Sequence, residues 1–242
     1  MYKVTRLLHL ADPADAMTTA MTVKRITAAA EAVGVRAPLV APTLPEVRNG
    51  GDLLAHFRFA SKSEWLSHRE TVDEAMGGPA IEHIDSAEYP GGYAGDGRSG
   101  RRGDAGPSTV YRTLFLRVDD AAAPAEIARF EHATLQMPRL IPAIRAWQFS
   151  RVDRAAGTSP WTHVWEQEYA DIDGLLGPYM NHPVHWALVD QWFDPESPNQ
   201  IVKDRICHSF CAIPAPVIHP APELTSTTEE APRVSGAGRP GP

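Results

Sequence analysis

Between Gly91 and Ser108 the chain all but loses its apolar residues, and the segments on either side of that gap read in the same order. On the N-terminal side, Tyr2–Leu10 is a strand-like apolar run ending at the turn signal Asp12-Pro13. Ala14–Val33 is a helix closed by Gly34. Leu39–Val47, flanked and interrupted by Pro38, Pro42 and Pro45, is an irregular edge strand. Asn49-Gly50-Gly51 predicts a hairpin turn, and Leu53–Ala60 the returning strand. Lys62–Met76 follows as a second helix, with Ser61 or Ser63 as its cap, and Ile81–Tyr89 as a last strand. On the C-terminal side, Val110–Val118 is a strand, Pro124–Met137 a helix, and Ile144–Val152 and Trp161–Tyr169 strands. Ile172–Tyr179 and Pro183–Phe193 make a broken helix, and Ile201–Ile213 a final strand.

Both sides thus read β-α-β-β-α-β, the ferredoxin-like order, which predicts an α+β protein of two such repeats. Phe59-Ala60-Ser61 and Tyr169-Ala170-Asp171 each end a third strand before a second helix, as expected of an internal repeat. The division expected is residues 1–93 for a diverged first repeat, 94–108 for a flexible linker, 109–213 for the second repeat and 214–242 for a disordered tail. On this alignment Arg69 stands about where Tyr179 does, and Leu7 and His9 correspond to Leu114 and Leu116. A second, degenerate pocket around His9 competes with a purely structural histidine there. His56 and Glu166 occupy matching positions on the opposite strand face and are expected to hydrogen-bond across the seam.

The formal charge of −7, from 23 basic and 30 acidic residues, argues against nucleic acid or an anionic membrane as partner. The basic run Arg98-Ser-Gly-Arg-Arg102 sits among glycines and reads as linker. With no apolar run of spanning length and no signal-peptide core, a soluble, cytoplasmic protein is expected. Cys207 and Cys211, four apart in a strand, would stand about 13 Å apart, too far for a disulfide.

The densest chemistry lies in Pro178-Tyr-Met-Asn-His-Pro-Val-His-Trp186. Tyr179, His182 and His185 recur at every third residue, so a mostly helical backbone gathers them on one side. Pro183 breaks that helix, and its best place is the first position of a second one. His185 then falls in a first turn, where the helix dipole disfavours imidazolium. A neutral imidazole beside a phenol is an acid/base pair at neutral pH; packing at a helix corner is the competing reading. A metal site from His182 and His185 with Tyr179 or His163 lacks an accompanying carboxylate motif, so no metal is expected. With no glycine-rich phosphate loop and no nucleophile elbow, no nucleotide cofactor or serine triad is expected either.

The strand Tyr111–Val118, the connection Leu140-Ile-Pro-Ala-Ile144, the strand Trp161-Thr-His-Val-Trp-Glu166, the run Tyr179-Met-Asn-His-Pro-Val-His185 and Asp204 together resemble the stress-responsive dimeric α/β-barrel family, Dabb. The resemblance covers about residues 109–212, with Tyr-x-x-His-Pro-x-His as its most specific part. It implies two ferredoxin-like units pairing their sheets into an eight-stranded barrel. With two units in one chain, that dimeric α/β barrel becomes intramolecular and the chain a monomer or weak homodimer. It further implies a polyketide-cyclase type of activity without cofactor, its tyrosine and histidine falling at Tyr179 and His185. A pocket histidine of the family's cyclase is replaced here by Arg112.

Strand alternation completes the expected pocket. Arg112, Leu114 and Leu116 share one strand face, and Trp165 and Gln167 another. Arg112 either anchors a substrate carboxylate or carbonyl, or pairs with a surface acid. Trp165 is a pocket wall or a core aromatic, and a covered Gln167 needs partners. The expected function is cofactor-independent acid/base chemistry on a small hydrophobic carbonyl compound. His185 takes a proton, Tyr179 serves the oxyanion, and His182 orients them. A non-catalytic ligand-binding barrel and an oxygen-using or haem-binding barrel are the alternatives.

Overall fold

A computed structural model describes residues 1–92, 97–103, 106–203 and 206–219. In chain order the N-terminal half holds β1 (Tyr2–Leu10), α1 (Ala16–Ala32), β2 (Leu39–Pro42), β3 (Leu53–Phe59), α2 (Lys62–Ala75) and β4 (Ile81–Pro90). Then come β5 (Ser99–Arg101), β6 (Val110–Leu116), α3 (Pro124–Thr134), α4 (Met137–Leu140), β7 (Ala146–Arg151), β8 (Arg154–Ala156) and β9 (His163–Tyr169). After a helical turn, α5 (Ile172–Gly174), the chain runs through irregular helix to β10 (Cys207–Ala212). The helix starts follow the sequence. Asp15 accepts from the amides of Met17 and Thr18 ahead of α1, and Ser61 Oγ accepts from Glu64 N ahead of α2.

The strands form two antiparallel five-stranded sheets, ordered β2-β3-β1-β4-β8 and β10-β6-β9-β7-β5. Within each half the same ferredoxin-like sequence of strands recurs: second, third, first and fourth in the one, and its mirror listing in the other. Three apolar layers result. Val4, Leu8, Leu53 and Phe57 pack under α1 and α2 with Ile26, Trp65 and Val72. Leu7, Tyr89, Tyr111, Phe115 and Val164 fill the space between the sheets. Leu114, Leu116, Trp165 and Phe149 pack with Phe130, Tyr179, Val189 and Trp192 of the second half's helices.

Register places the halves in correspondence. Tyr2 pairs with Phe59, and Val110 with Tyr169, so Arg6 rather than Leu7 answers to Leu114, and Leu8 to Leu116. This corrects the expected match of Leu7 and His9 with Leu114 and Leu116. A slip of one residue moves a strand's side chains to its other face. Leu7 accordingly lies between the sheets, not under the helices.

Both ends of the seam are tied by strands that cross it. β8, from the second half, pairs with β4 through Ser86–Ala156 to Glu88–Arg154. The connection between β2 and β3 is wider than the tight hairpin expected. Residues 43 to 48 reach to β10, with Leu44 N donating to Phe210 O, and Arg48 and His208 exchanging backbone hydrogen bonds. Asn49 and Gly51, both at positive φ, then turn the chain back.

The expected linker also carries structure. β5 pairs with β7, and Arg101 bonds the carboxylate of buried Glu168 at 2.6 Å. Beyond Pro214, where a disordered tail was expected to begin, the chain stays packed to Ile218. Val217 and Ile218 are buried, and their amides donate to Glu168 Oε1 at 2.6 Å each. The rest of that tail, from residue 220, and Asp204 lie outside the described residues.

Between the sheets, Lys3 of β1 and Glu166 of β9 form a fully buried ion pair at 3.0 Å, and Tyr111 Oη donates to the same carboxylate at 2.8 Å. His56, expected to bond Glu166, stands 3.8 Å from it and meets Thr5 Oγ1 at 2.8 Å instead. Burial first, then Lys3 and Arg58, hold His56 well below the ordinary imidazole range, so it is neutral and gives the lysine the carboxylate. Among the described residues no helix is long and apolar enough to cross a membrane.

Candidate active site

The second half's helix that should cover its sheet is not a regular α-helix. π-helical turns run over Leu175–Tyr179 and Val184–Val189, and a 3₁₀ turn over Asp190–Trp192. Pro178 sits inside the first and Pro183 caps the second, each lacking an amide to donate. The break falls where the sequence places it, but the coil is wider than α. Wide turns of this kind recur at functional sites. Here they leave a cavity of about 630 Å³ between the helical layer and the sheet.

Its floor is apolar: Leu114, Leu116 and Trp165 from the sheet, Met137, Val189 and Phe193 from the helices. Among its polar groups, Arg112, Tyr179, His185 and His208 converge. Tyr179, almost wholly buried, points its hydroxyl at Arg112, whose Nη1 donates to it at 3.3 Å. The guanidinium also stands 5.1 Å over the Tyr179 ring, a cation–π contact. His185 meets the edge of the same ring with centroids 4.9 Å apart. Its Nδ1 lies 3.4 Å from Asp190 Oδ1 one turn on, which leaves Nε2 as the nitrogen able to take a proton.

Arg112 is the electrostatic centre. It is 4% exposed, and its partners are all neutral: Gln167 Oε1, the Tyr179 hydroxyl, and His208 Nε2, which accepts from Arg112 Nε at 2.7 Å. Among the described residues no carboxylate pairs with it, so the alternative of a surface ion pair does not hold. His208 is pushed down to about 2, first by burial and then by Arg112, Arg48 and His185, so it serves as a neutral acceptor. A buried cation without a counter-ion beside an apolar cavity is poised for an anion, or for an oxygen on which negative charge develops.

Six of the residues singled out in the sequence meet around this cavity. Arg112, Leu114, Trp165, Tyr179 and His185 line it, and Gln167 stands behind Arg112 as a buried acceptor. Gln167 Nε2 finds no partner among the described residues. His182 does not line the cavity; its Nδ1 accepts from Val184 N at 3.2 Å and holds the start of the second π turn. Sequence reasoning missed His208, Asp190 and the wall of Glu46, Val47 and Arg48. His208 was findable, since β10 pairs it with Leu114 and puts it on the pocket face. The Glu46–Arg48 wall comes from the first half through the wide β2–β3 connection, which no local pattern announces.

Residues 110–207 match the family model described as the Stress responsive A/B Barrel Domain, Dabb. No curated protein sequence matches the chain. Among solved structures, an anthrone oxidase-like protein is similar at TM-score 0.59 and 12% identity, over 87% of this chain and 90% of that one. A chlorite dismutase from Candidatus Nitrospira defluvii is similar at TM-score 0.50 and 11% identity, over 88% and 91%. At such identities the likeness carries the fold alone. Arg112, Tyr179 and His185 fall within the matched residues 110–207, while Glu46, Val47, Arg48 and His208 line the same cavity from outside them, in a chain with a two-sheet ferredoxin-like α+β fold.

Proposed function

We propose that the second-half cavity is the active site of a cofactor-independent acid/base enzyme that turns over a small hydrophobic carbonyl compound through an enolate. Cyclisation or isomerisation of a polyketide-like substrate is the reaction class. The observation that carries this reading is Arg112: buried, with no carboxylate paired to it among the described residues, donating to Tyr179 at the edge of a cavity with an apolar floor.

The substrate's carbonyl oxygen accepts from the Tyr179 hydroxyl, which is free to donate because Arg112 donates to its oxygen. As charge develops on that oxygen, the adjacent guanidinium stabilises it in a dry site. His185 Nε2 takes the α-proton, and Asp190 at Nδ1 steadies the imidazolium that forms. His208, held neutral, positions Arg112 without competing for the anion. The apolar floor supplies affinity at about 25 cal/mol per Å² of apolar surface covered. The Tyr-x-x-His-Pro-x-His run of olivetolic acid cyclase, which these residues resemble, supports the same roles for Tyr179 and His185.

The two halves read as tandem repeats whose sheets pair within one chain as an intramolecular dimeric barrel, acting as a monomer or weak homodimer. Strand order, register and the two crossing segments support this. Sedimentation of the purified chain tests it, a tight dimer through the same sheet faces being the contrary result.

The activity test is exchange of α-protons in deuterium oxide, followed by NMR over a panel of β-diketone and β-ketoester compounds. Acceleration by the wild type, lost in His185→Ala, is expected. Compounds that bind the cavity without any exchange would instead make the protein a ligand-binding barrel. A second reading, oxidation of the same enolate by dioxygen, draws support from the fold shared with the anthrone oxidase-like protein. Oxygen uptake during the exchange assay separates it from cyclisation. A Soret band in the purified protein's absorbance would point to a haem barrel.

A further inference from the structure

We infer that His9, His83 and Asp85, none of which lines the proposed active site, form a binding site for a divalent first-row transition cation of the zinc class. His9 of β1 pairs directly with His83 of β4, and the register shifts between His9 and Leu10. Irregularities of this kind re-aim side chains, and here two imidazoles stack with centroids 3.9 Å apart. Asp85, two residues after His83, lies on the same face. His9 Nε2 is 3.8 Å and His83 Nε2 4.0 Å from Asp85 Oδ2, and the three donor atoms all lie within 4.8 Å of one another.

The carboxylate is what requires explanation. Asp85 is fully buried, yet among the described residues no lysine or arginine pairs with it; the basic groups beside it are the two imidazoles. A buried carboxylate is costly unless it is paired with a cation or coordinates a metal. Its orientation is fixed from outside the cluster. Thr158 donates to Oδ1 through both its amide and its hydroxyl, at 2.7 Å each. Gly157, at φ +111, lets that loop close onto Asp85, where a Cβ would collide with the carboxylate and the backbone of residues 84 and 85. Oδ2 is left facing the histidines, with the Cys207 thiol donating to it at 3.6 Å. His83 Nε2 is buried and has no hydrogen-bond partner among the described residues.

Two imidazole nitrogens and one carboxylate oxygen suit zinc and its neighbours rather than magnesium or calcium. A tetrahedral centre with bonds near 2.1 Å sets its donors about 3.4 Å apart, so small side-chain rotations close the observed spacing. A site with three protein ligands keeps a position for water. The His83 side chain is 36% exposed, which gives an ion a way in. The ion would fasten the end of the first sheet, through Asp85, to the second half's Gly157-Thr158 loop.

Zinc titrated into the tag-free, chelator-treated full chain, by calorimetry, tests this, with cobalt absorbance as a second readout. One zinc per chain is expected, with a raised melting temperature and no competition from magnesium. His83→Ala, at a half-exposed position, should keep the fold and weaken binding by about 100-fold, and Thr158→Val, which frees the carboxylate, by about 10-fold. No zinc binding by the wild type, or equal binding by His83→Ala, overturns the assignment. So does a loss of binding in His182→Ala or His185→Ala rather than in His83→Ala.

Discussion

Each half buries one arginine beneath its helices, and the two arginines are treated in opposite ways. Arg6 and Arg112 are each 4% exposed. Arg6 meets Glu88 at 3.0 Å and Asp73 at 3.4 Å, and Arg69 supports the same glutamate. Arg112 meets an amide, a phenol and a neutral imidazole. Register shows where the difference arises. Glu88 pairs with Val4, and Phe210 with Arg112; Val4 and Arg112 hold the same place in their strands, so Phe210 stands where the first half keeps its acid. The covering helix differs in step: α2 is regular from Lys62 to Ala75, whereas its counterpart is opened into π turns. One half has used its arginine for structure. The other has left its arginine's charge unspent beside a cavity, and that is where function is to be sought.

The largest expected effect follows directly. Tyr179→Phe and Arg112→Met should each lower turnover by about 10²–10³-fold, the loss typical of one donor to a developing oxyanion. Stability should barely change in Tyr179→Phe, and Arg112→Met should be neutral or stabilising, because a buried charge without a counter-ion is removed. Steady-state kinetics with thermal melts checks both, and near-normal turnover in the two variants would sink the proposed site.

The first half should answer the same substitution differently. Arg6→Met leaves Glu88 buried with Arg69 alone, and a loss of about 2–3 kcal/mol is expected, somewhat below the usual cost of breaking a buried pair. Denaturant unfolding of Arg6→Met beside Arg112→Met tests the contrast itself. Equal losses would mean that the two arginines are not differently used.

A smaller effect belongs to His208. Its folded pKa, pushed down to about 2, lies below the unfolded value of about 6.5. The unfolded chain therefore binds the proton first, so the stabilisation is present above about pH 6.5 and is lost as pH falls below it. His56 shifts in the same direction and adds to the slope. His208→Gln keeps an acceptor for Arg112 and removes the titration. Its unfolding free energy should fall less steeply between about pH 6 and 4, by roughly 1.4 kcal/mol per unit. An unchanged slope would remove His208 from the account.

How much of this was legible depended on whether the signal was local. Tyr2–Leu10, Lys62–Met76 and the break at Pro183 follow from alternation, capping and proline chemistry, and the structure places them within a few residues of where the sequence does. Arg112, Leu114 and Trp165 came from alternation on single strands and do line one cavity. What escaped was pairing at a distance. The first-half alignment slipped by one residue at Leu7, which exchanges the two faces of a strand. His56 lost Glu166 to Lys3, a competitor more than 100 residues from its partner along the chain. The ordered residues Val217 and Ile218 are held by Glu168 and two arginines, partners that tail composition does not reveal.

The exchange of β8 across the seam bears on how the molecule is made. During synthesis β4 emerges with its outer edge unpaired, and it stays so until Arg154–Ala156 follow some 65 residues later. An open edge beside an unfinished hydrophobic face invites pairing with another nascent chain. The first half therefore has no route to a finished form of its own; its completion waits for the ribosome to deliver the second. Expressed as separate fragments, the two halves should aggregate or find each other.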